Sequence, residues 1–276
     1  MVKKHLINKL PIKCKWIFDV KPNSWKKAHL VVEGFTQCTG TDYTDIYSPV
    51  VYFETIRLML GLATLEKWHI TGLDVRNAYL YKELDEKIYI EQPEGFTKDP
   101  NIVLRLQHAI YGLKQAGLTW WHKLDASIKD LGFGQLKLEA RIFRYQKLGT
   151  NITVAIVYVD DTFFCGPDLT ILNDLKQKFI KRWECRDLGE LTEFLHICII
   201  HQNQQILIDQ ADYLRTILQR FWMQDACPAP TSLPSGYYPI KHTGPIDHAL
   251  QKRFETVIGS LLYLMLGTHW KEQKRI

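Results

Sequence analysis

The segment Val154-Ala155-Ile156-Val157-Tyr158-Val159-Asp160-Asp161-Thr162-Phe163-Phe164-Cys165-Gly166 is the most informative part of this chain. Two adjacent acids separate two apolar runs rich in β-branched and aromatic residues, which predicts a β-hairpin with the acids at its tip. Because side chains alternate along a strand, runs that are apolar at every position predict a hairpin buried on both faces. Burying two ionised carboxylates is costly unless a cation neutralises them. A pair of magnesium ions suits such neighbouring acids. A plain hairpin turn that contains Asp-Asp explains the tetrapeptide Tyr158-Val159-Asp160-Asp161 equally well.

A third acid lies far upstream, in His69-Ile70-Thr71-Gly72-Leu73-Asp74-Val75, which we interpret as a short strand ending near Asp74. Two-metal phosphoryl transfer needs carboxylates from separate strands that converge on ions about 3.5–4 Å apart. One ion activates the attacking hydroxyl and the other holds the triphosphate. Taken alone, Asp74 is better explained as a cap or turn acid.

The pattern of apolar residues predicts the order of the elements. Helical spacing predicts helices over about 54–67, 115–131, 169–183, 211–221 and 254–266. Alternating runs predict a hairpin turned at Pro22-Asn23, the hairpin at Asp160, and another from Phe194–Ile200 to Gln205–Ile208. Helices packed on one face of a mainly antiparallel sheet give an α+β fold.

Composition restricts the class of protein. The chain has 276 residues, 46% of them hydrophobic, with a net charge of +5, so it is mildly basic. Its six cysteines form no Cys-x-x-Cys pair, which argues against a disulfide framework or zinc site and favours an intracellular protein, in cytoplasm or nucleus. We expect no signal peptide, because the N-terminus Met1-Val2-Lys3-Lys4-His5 leads straight into mixed sequence. We expect no membrane partner, because the apolar run 257–266 is too short to span a bilayer.

A series of motifs in fixed order resembles the reverse transcriptase domain of copia-type long-terminal-repeat retrotransposons. The blocks are Lys15-Trp16-Ile17-Phe18, Lys27-Ala28-His29-Leu30-Val31, Gly34-Phe35-Thr36-Gln37, Tyr47-Ser48-Pro49-Val50-Val51, Leu73-Asp74-Val75-Arg76-Asn77-Ala78-Tyr79-Leu80, Ile88-Tyr89-Ile90-Glu91-Gln92-Pro93-Glu94-Gly95-Phe96, Ile110-Tyr111-Gly112-Leu113-Lys114-Gln115, Tyr158-Val159-Asp160-Asp161, Asp187-Leu188-Gly189-Glu190-Leu191 and Gly259-Ser260-Leu261-Leu262-Tyr263-Leu264. Each block alone is a weak signal, and their shared order carries the resemblance.

The resemblance implies a right-hand polymerase with fingers, an antiparallel palm sheet backed by helices, and a partial thumb. It places fingers, palm and the start of the thumb in 1–226, a Pro-containing linker in 227–253, and a C-terminal helix with a truncated tail in 254–276. The implied activity is RNA-directed DNA synthesis, in which deoxynucleoside triphosphates (dNTPs) are added to the 3′-hydroxyl of an RNA or DNA template-primer. Two Mg²⁺ ions, or Mn²⁺, would be held by Asp74, Asp160 and Asp161. We expect ribonuclease H and integrase regions to be absent.

The resemblance also implies roles for further residues. Tyr79 would exclude a nucleotide's 2′-hydroxyl, Gln115 would contact the nucleotide, and Lys26 and Lys27 would bind its triphosphate. The primer would meet Tyr158, and Leu195 and His196 within the Phe194–Ile200 hairpin. Each has a plainer explanation: a core tyrosine, a polar residue at a helix start, a solvated pair of charges, or an ordinary hairpin.

Several positions depart from the family pattern. An Arg is replaced by His29, a base by Glu33, a Gly by Lys82, a Pro-Arg pair by Gly117-Leu118, and a Gly by His196. The Arg-Pro-Asp motif after Thr268 is absent, which suggests a truncated, partly decayed element. One alternative is therefore an inactive relict that still folds and binds nucleic acid. Another is a non-catalytic RNA-binding module that stacks bases on exposed aromatic residues.

Overall fold

Segments in which apolar residues alternate form strands, and segments in which apolar residues recur at helical spacing form helices. The structure, a computed structural model, describes residues 1–20, 24–96, 99–147, 149, 151–231, 233, 236–238, 240–241 and 243–268. The strands are β1 (Val2–Lys3), β2 (Cys14–Val20), β3 (Lys26–Val32), β4 (His69–Val75), β5 (Tyr89–Ile90), β6 (Ile102–Arg105), β7 (Phe133–Gln135), β8 (Ile142–Tyr145), β9 (Thr153–Tyr158), β10 (Asp161–Gly166), β11 (Cys185–Glu190), β12 (Glu193–Phe194), β13 (Ile197–Gln202) and β14 (Gln205–Asp209). The helices are α1 (Phe53–Leu65), α2 (Ala116–Asp130), α3 (Leu169–Trp183), α4 (Ala211–Arg220) and α5 (His248–Gly267).

The chain divides into two compact units, one formed by 1–51 and 68–190 and the other by 52–67 and 191–276. The turn predicted at Pro22-Asn23 and the tail after Thr268 lie outside the described residues. The division into fingers, palm and thumb, with boundaries at 226 and 253, stays a prediction.

The first unit is built around a six-stranded sheet in the order β11-β4-β10-β9-β8-β7, with every pairing antiparallel. The predicted hairpin is present as β9 and β10, and all residues of 153–157 and 162–166 are buried. This hairpin occupies the middle of the sheet because such continuously apolar strands need cover on both faces.

Helices α2 and α3 share one apolar cluster with one face of this sheet. Trp120 and Leu124 of α2 and Phe179 of α3 are fully buried there. The strands contribute Leu73, Val75, Ala155, Val157 and Phe164. Because side chains alternate, Asp74 and Asp161 must lie on the opposite face of the sheet. The antiparallel sheet with helices on one face confirms the α+β prediction.

Two smaller sheets complete the first unit. Strands β2 and β3 pair from Cys14↔Val32 to Val20↔Lys26 as a two-stranded hairpin, and β1, β6 and β5 form a three-stranded antiparallel sheet. A second apolar cluster lies beside them, formed by Ile12, Val32, Ile88, Ile90, Ala109, Leu113 and Ala116.

The second unit contains α1, α4, α5 and the sheet β12-β13-β14. Arg57 of α1 donates to the carbonyls of Leu266 and Gly267, so it satisfies exposed carbonyls at the end of α5. Among the described residues, no helix has the length and apolar character of a membrane span.

Two predicted boundaries are wrong. The run Phe194–Ile200 is not one strand, because Leu195 and His196 have φ of 52° and 57° and form a turn between β12 and β13. Helix α5 begins at His248 rather than near residue 254, because the Asp247 carboxylate accepts from the amides of Ala249 and Leu250 and caps the helix. The end of the predicted linker is therefore helical.

Candidate active-site cleft

The tip of the β9–β10 hairpin is a strained two-residue turn. Tyr158 pairs with Asp161, so Val159 and Asp160 form the turn, and Val159 has φ of 52°. Positive φ is unfavourable for a β-branched residue, so neighbouring groups must hold it. The buried Trp120 indole donates to the Val159 carbonyl at 2.8 Å, and the Val75 amide donates to the Asp160 carbonyl at 2.9 Å. The turn is thereby fixed from α2 and from β4.

The three predicted acids converge at this tip. Asp161 of β10 is the direct antiparallel partner of Asp74 of β4, and Asp160 immediately precedes it. Directly opposed residues have Cβ atoms about 4.5–5.5 Å apart. Burial raises the pKa of Asp160, the hydroxyl of Tyr111 lowers it, and the charge of Asp74 raises it again. Asp74 and Asp160 therefore repel each other across the site.

The two oxygens of the Asp160 carboxylate have different surroundings. Oδ2 accepts a hydrogen bond from the Tyr111 hydroxyl at 2.7 Å. Oδ1 is buried and has no hydrogen-bond partner among the described residues. An unpartnered buried carboxylate oxygen beside a second acid has the hard, anionic chemistry that a divalent cation needs.

The carboxylates of Asp74 and Asp160 fit a cation whose remaining ligands are water and substrate phosphates. Within the described ranges, no group of three or more His, Cys, Asp or Glu residues is arranged to hold a metal ion. Mg²⁺ is commonly held by one or two carboxylates, with water and substrate phosphates completing its shell. The pair Asp74 and Asp160 fits that mode and does not form a closed protein cage.

The acids open into a cleft of about 730 Å³ within the first unit. Its walls are formed by Trp25, Lys26, Lys27, His29, Asp74, Val75, Arg76, Asn77, Tyr111, Asp160 and Arg186. Cationic side chains thus surround a floor of two carboxylates. Such an arrangement suits a polyanion that carries or recruits divalent cations.

The cations come from separate elements. Lys26 and Lys27 lie at the start of β3, while Arg76 follows β4. Arg186 lies on β11 as the antiparallel partner of Asp74. The predicted pair Lys26 and Lys27 is therefore in the same cleft as Asp74 and Asp160.

The other nucleotide-contact candidates, Tyr79 and Gln115, do not line the cleft. Tyr79 is half-buried and packs against both apolar clusters of the first unit, and burial raises its pKa to about 12. Gln115 is only 2% exposed, accepts from Gln37 Nε2 at 3.0 Å and donates to the Asp42 carbonyl at 2.8 Å. Neither is among the described residues that line the cleft.

The predicted primer contacts fall in two places. Tyr158 is half-buried at the end of β9, next to the catalytic candidates in sequence. Leu195 and His196 belong to the second unit, where the Leu195 carbonyl accepts from the Tyr263 hydroxyl at 2.9 Å. The His196 ring stacks on Tyr213 with ring centres 5.9 Å apart.

Sequence reasoning missed several of the residues that line the site, including Trp25 and Asn77. Tyr111 contacts Asp160, and Arg76 and Arg186 line the cleft. Tyr111 belongs to the motif Ile110-Tyr111-Gly112-Leu113-Lys114-Gln115, which by itself indicates no contact with an acid. The register Arg186↔Asp74 could not be known before strand pairing, so nothing in the sequence linked this arginine to the acids.

Comparison with known proteins adds independent findings. A family model described as "Reverse transcriptase (RNA-dependent DNA polymerase)" matches residues 2–234. The chain is 32% identical over 274 residues to the "Retrovirus-related Pol polyprotein from transposon TNT 1-94" of Nicotiana tabacum, covering 94% of this chain and 21% of that protein. It is 36% identical over 263 residues to the corresponding polyprotein from transposon RE1 of Arabidopsis thaliana, covering 91% and 18%.

A more distant relative is the "Transposon Ty1-BL Gag-Pol polyprotein" of Saccharomyces cerevisiae, 27% identical over 201 residues, covering 72% of this chain and 11% of that one. The chain spans about a fifth of the length of the first two relatives. A solved structure of apo telomerase from Candida tropicalis covers 71% of this chain and 55% of its own, with a TM-score of 0.35 and 10% identity, which is too weak to support an argument.

Proposed function

Because the chain belongs to the reverse transcriptase family, as the domain found in copia-type retrotransposon Pol polyproteins, we propose that it copies RNA or DNA templates by adding dNTPs to a primer 3′-hydroxyl. The reaction forms a bond from the 3′-oxygen to the α-phosphorus and breaks the bond from that phosphorus to pyrophosphate. The 3′-hydroxyl proton passes to solvent.

The observation that carries the proposal is the juxtaposition of Asp74 and Asp160 with the cations of the cleft wall. A dNTP is a polyanion, and the positive side chains of the cleft wall can hold its phosphates at low cost. Carboxylates would repel the same phosphates unless divalent cations lay between them. A cleft that contains both kinds of charge therefore fits nucleotidyl transfer better than simple anion binding.

Each group of residues has a separate task in this reaction. Lys26 and Lys27 would hold the β- and γ-phosphates, which orients the α-phosphorus toward the primer. Asp74 and Asp160, with Asp161 beside them, would hold two Mg²⁺ ions. When bound, these ions supply charge neutralisation of the triphosphate and activation of the 3′-hydroxyl. Arg76 and Arg186 would interact with phosphates that enter or leave the cleft.

Primer extension in Mg²⁺ tests the proposal. Wild type should extend a labelled primer on an RNA template, and extension should disappear in Asp160→Ala and on addition of EDTA. Asp174→Asn is the matched control, since Asp174 is an exposed acid on α3 whose partner is Lys178. Extension by Asp160→Ala at the wild-type rate would contradict the metal-site assignment.

A second candidate function is nucleic-acid binding by an inactive relict, and His29 is the observation that favours it. His29 lines the cleft at the position where the family carries an arginine, and an imidazole has neither the permanent charge nor the forked donors of a guanidinium. If wild type does not extend primers but His29→Arg does, the relict interpretation holds. The RNA-binding module is disfavoured because Phe163 is fully buried and Tyr158 is half-buried.

A further inference from the structure

A tyrosine hydroxyl contacts the acids at the tip of the β9–β10 hairpin. Tyr111 donates to Asp160 Oδ2 at 2.7 Å, and both residues line the cleft. Because a phenolic hydroxyl carries one proton, this bond uses the whole donor capacity of the Tyr111 side chain. Hydrogen bonds to charged acceptors are also stronger than those between neutral groups. The bond therefore holds one particular oxygen of the Asp160 carboxylate.

The other oxygen of that carboxylate is left without such a contact. Oδ1 of Asp160 is buried and has no hydrogen-bond partner among the residues that the structure describes. The torsion that turns an aspartate carboxylate is broad, so its oxygens exchange places easily unless a neighbour fixes them. With Oδ2 held by Tyr111, one oxygen is committed to the protein and the other remains for a cation. Carboxylates that bind metal ions are commonly oriented by hydrogen bonds of this kind.

The ring that carries the hydroxyl is held in place by two other rings. The centre of the Tyr79 ring lies 4.7 Å from that of Tyr111 at an interplanar angle of 72°. The centre of the His29 ring lies 5.3 Å from it at 68°. Edge-to-face pairs at these distances are favourable beyond the area they bury. Packing therefore positions the hydroxyl independently of its bond to Asp160.

The backbone of Tyr111 is fixed to strand β3. The Val32 amide donates to the Tyr111 carbonyl at 2.9 Å. The next residue, Gly112, has φ of 95°, and a Cβ there would lie 2.0 Å from the Val32 carbonyl oxygen. Only glycine fits this close approach. Tyr111 thus joins the β2–β3 hairpin to the carboxylate of Asp160.

We propose that Tyr111 is a positioning residue for metal binding, whose hydroxyl holds the Asp160 carboxylate so that Oδ1 is left to a divalent cation. This inference rests on the proposed function, which requires a cation at Asp74 and Asp160. A carboxylate that is already oriented loses little rotational freedom when the ion binds, so less of the binding free energy is spent on ordering it. Loss of such a hydrogen bond weakens metal affinity about 10- to 100-fold.

Tyr111→Phe tests this role, because it keeps the ring contacts and removes only the hydroxyl. The electron paramagnetic resonance signal of free Mn²⁺, recorded with the full chain, gives a dissociation constant without any turnover. Asp160→Ala identifies the part of the binding that belongs to this site. The dissociation constant for Mn²⁺ should rise about 10- to 100-fold in Tyr111→Phe. The Mg²⁺ concentration for half-maximal primer extension should rise by a similar factor, while the rate at saturating Mg²⁺ stays within about threefold of wild type.

Tyr81→Phe is the matched control. The Tyr81 hydroxyl also donates at 2.7 Å, but its acceptor is the Trp183 carbonyl. Tyr81 packs against the apolar cluster on the helix-covered face of the large sheet, opposite the face of the acids. This variant loses a comparable hydrogen bond, and with it a comparable part of the stability. Its Mn²⁺ affinity should nevertheless stay within about threefold of wild type, because the lost bond does not orient a carboxylate.

The outcomes separate this inference from the proposed function. If wild type extends primers and Tyr111→Phe binds Mn²⁺ at least as tightly as wild type, the inference alone is overturned. An equal loss of affinity in Tyr81→Phe would also overturn it, since affinity would then follow stability. Wild type without Asp160-dependent Mn²⁺ binding would overturn both proposals. If wild type never extends primers but binds Mn²⁺ through Asp160, and Tyr111→Phe weakens that binding, the inference stands and the proposed function falls. If circular dichroism shows that Tyr111→Phe does not fold, Tyr111→Met, which also lacks the hydroxyl, must show the same loss of affinity.

Discussion

At the scale of single residues, Asp160 combines properties that oppose stability. It is half-buried, one of its oxygens is buried without a hydrogen-bond partner among the described residues, and the charge of Asp74 acts on it. Residues needed for catalysis often lower the stability of the folded state in this way. The folded state therefore binds a proton on Asp160 more readily than the unfolded chain does.

Asp160→Asn should stabilise the fold while abolishing primer extension. The amide can still accept from Tyr111 and no longer repels Asp74. The pKa of Asp160 is raised in the folded state. The stability that wild type gains from protonating Asp160 is therefore fully present below the unfolded pKa of about 3.9, and it is lost as pH rises through the folded pKa. The free energy of unfolding of Asp160→Asn should therefore exceed that of wild type by an amount that grows from about pH 4 upward and reaches about 1 kcal/mol. Urea unfolding of both proteins between pH 4 and 8 measures it, and an equal advantage at every pH would contradict the assignment.

Trp120 supports the active-site turn through one hydrogen bond, which gives a second prediction. Trp120→Phe should destabilise the chain by about 1–3 kcal/mol, because the Val159 carbonyl loses its donor at a strained turn. Trp183→Phe is the control: Trp183 is equally buried in the same cluster, but its indole nitrogen has no hydrogen-bond partner among the described residues. Thermal unfolding compares the two, and an equal loss in both variants would remove the special role of the indole.

At the scale of elements, sequence patterns predicted those pieces whose periodicity is strong. Helices α1 to α4 lie close to their predicted bounds, and the β9–β10 hairpin is where its apolar runs place it. The break between β12 and β13 at Leu195-His196 was not predicted, although the replacement of the family's glycine by His196 already indicated strain there if the position needs positive φ. The convergence of Asp74 with Asp160 was expected, whereas Arg186 and Tyr111 depend on strand register and loop packing that no local pattern encodes.

The β12–β13 turn leads to a prediction about strain. His196→Gly should stabilise the second unit by about 1 kcal/mol, because glycine adopts positive φ without the penalty that a side chain carries. His196→Ala should bring no such gain, since it loses the stack on Tyr213 and keeps the strain. The midpoint of urea unfolding, followed by hydrogen exchange of amides in β12 and β13, compares them. A gain in the alanine variant equal to that in the glycine variant would show that strain is not the cause.

At the scale of the whole molecule, the excess of positive charge is small, but positive side chains are concentrated in the cleft. The net charge of +5 over 276 residues is modest for a protein that would hold a duplex. The cleft nevertheless gathers Lys26, Lys27, Arg76 and Arg186 around two acids. Local concentration of charge can attract a polyanion when the total is small.

This distribution predicts how binding of a primer-template responds to salt. The logarithm of the binding constant should fall linearly with the logarithm of salt concentration, by about 0.9 for each duplex phosphate contacted. Arg186→Gln should weaken binding and reduce that slope by about 1, since it removes a cation beside Asp74. Lys178→Gln should leave the slope unchanged, because Lys178 lies on α3, against the opposite face of the sheet, and pairs with Asp174. Fluorescence anisotropy at several salt concentrations measures all three proteins. If Lys178→Gln reduces the slope as much as Arg186→Gln does, the nucleic acid is attracted by overall charge and the cleft has no special part in binding it.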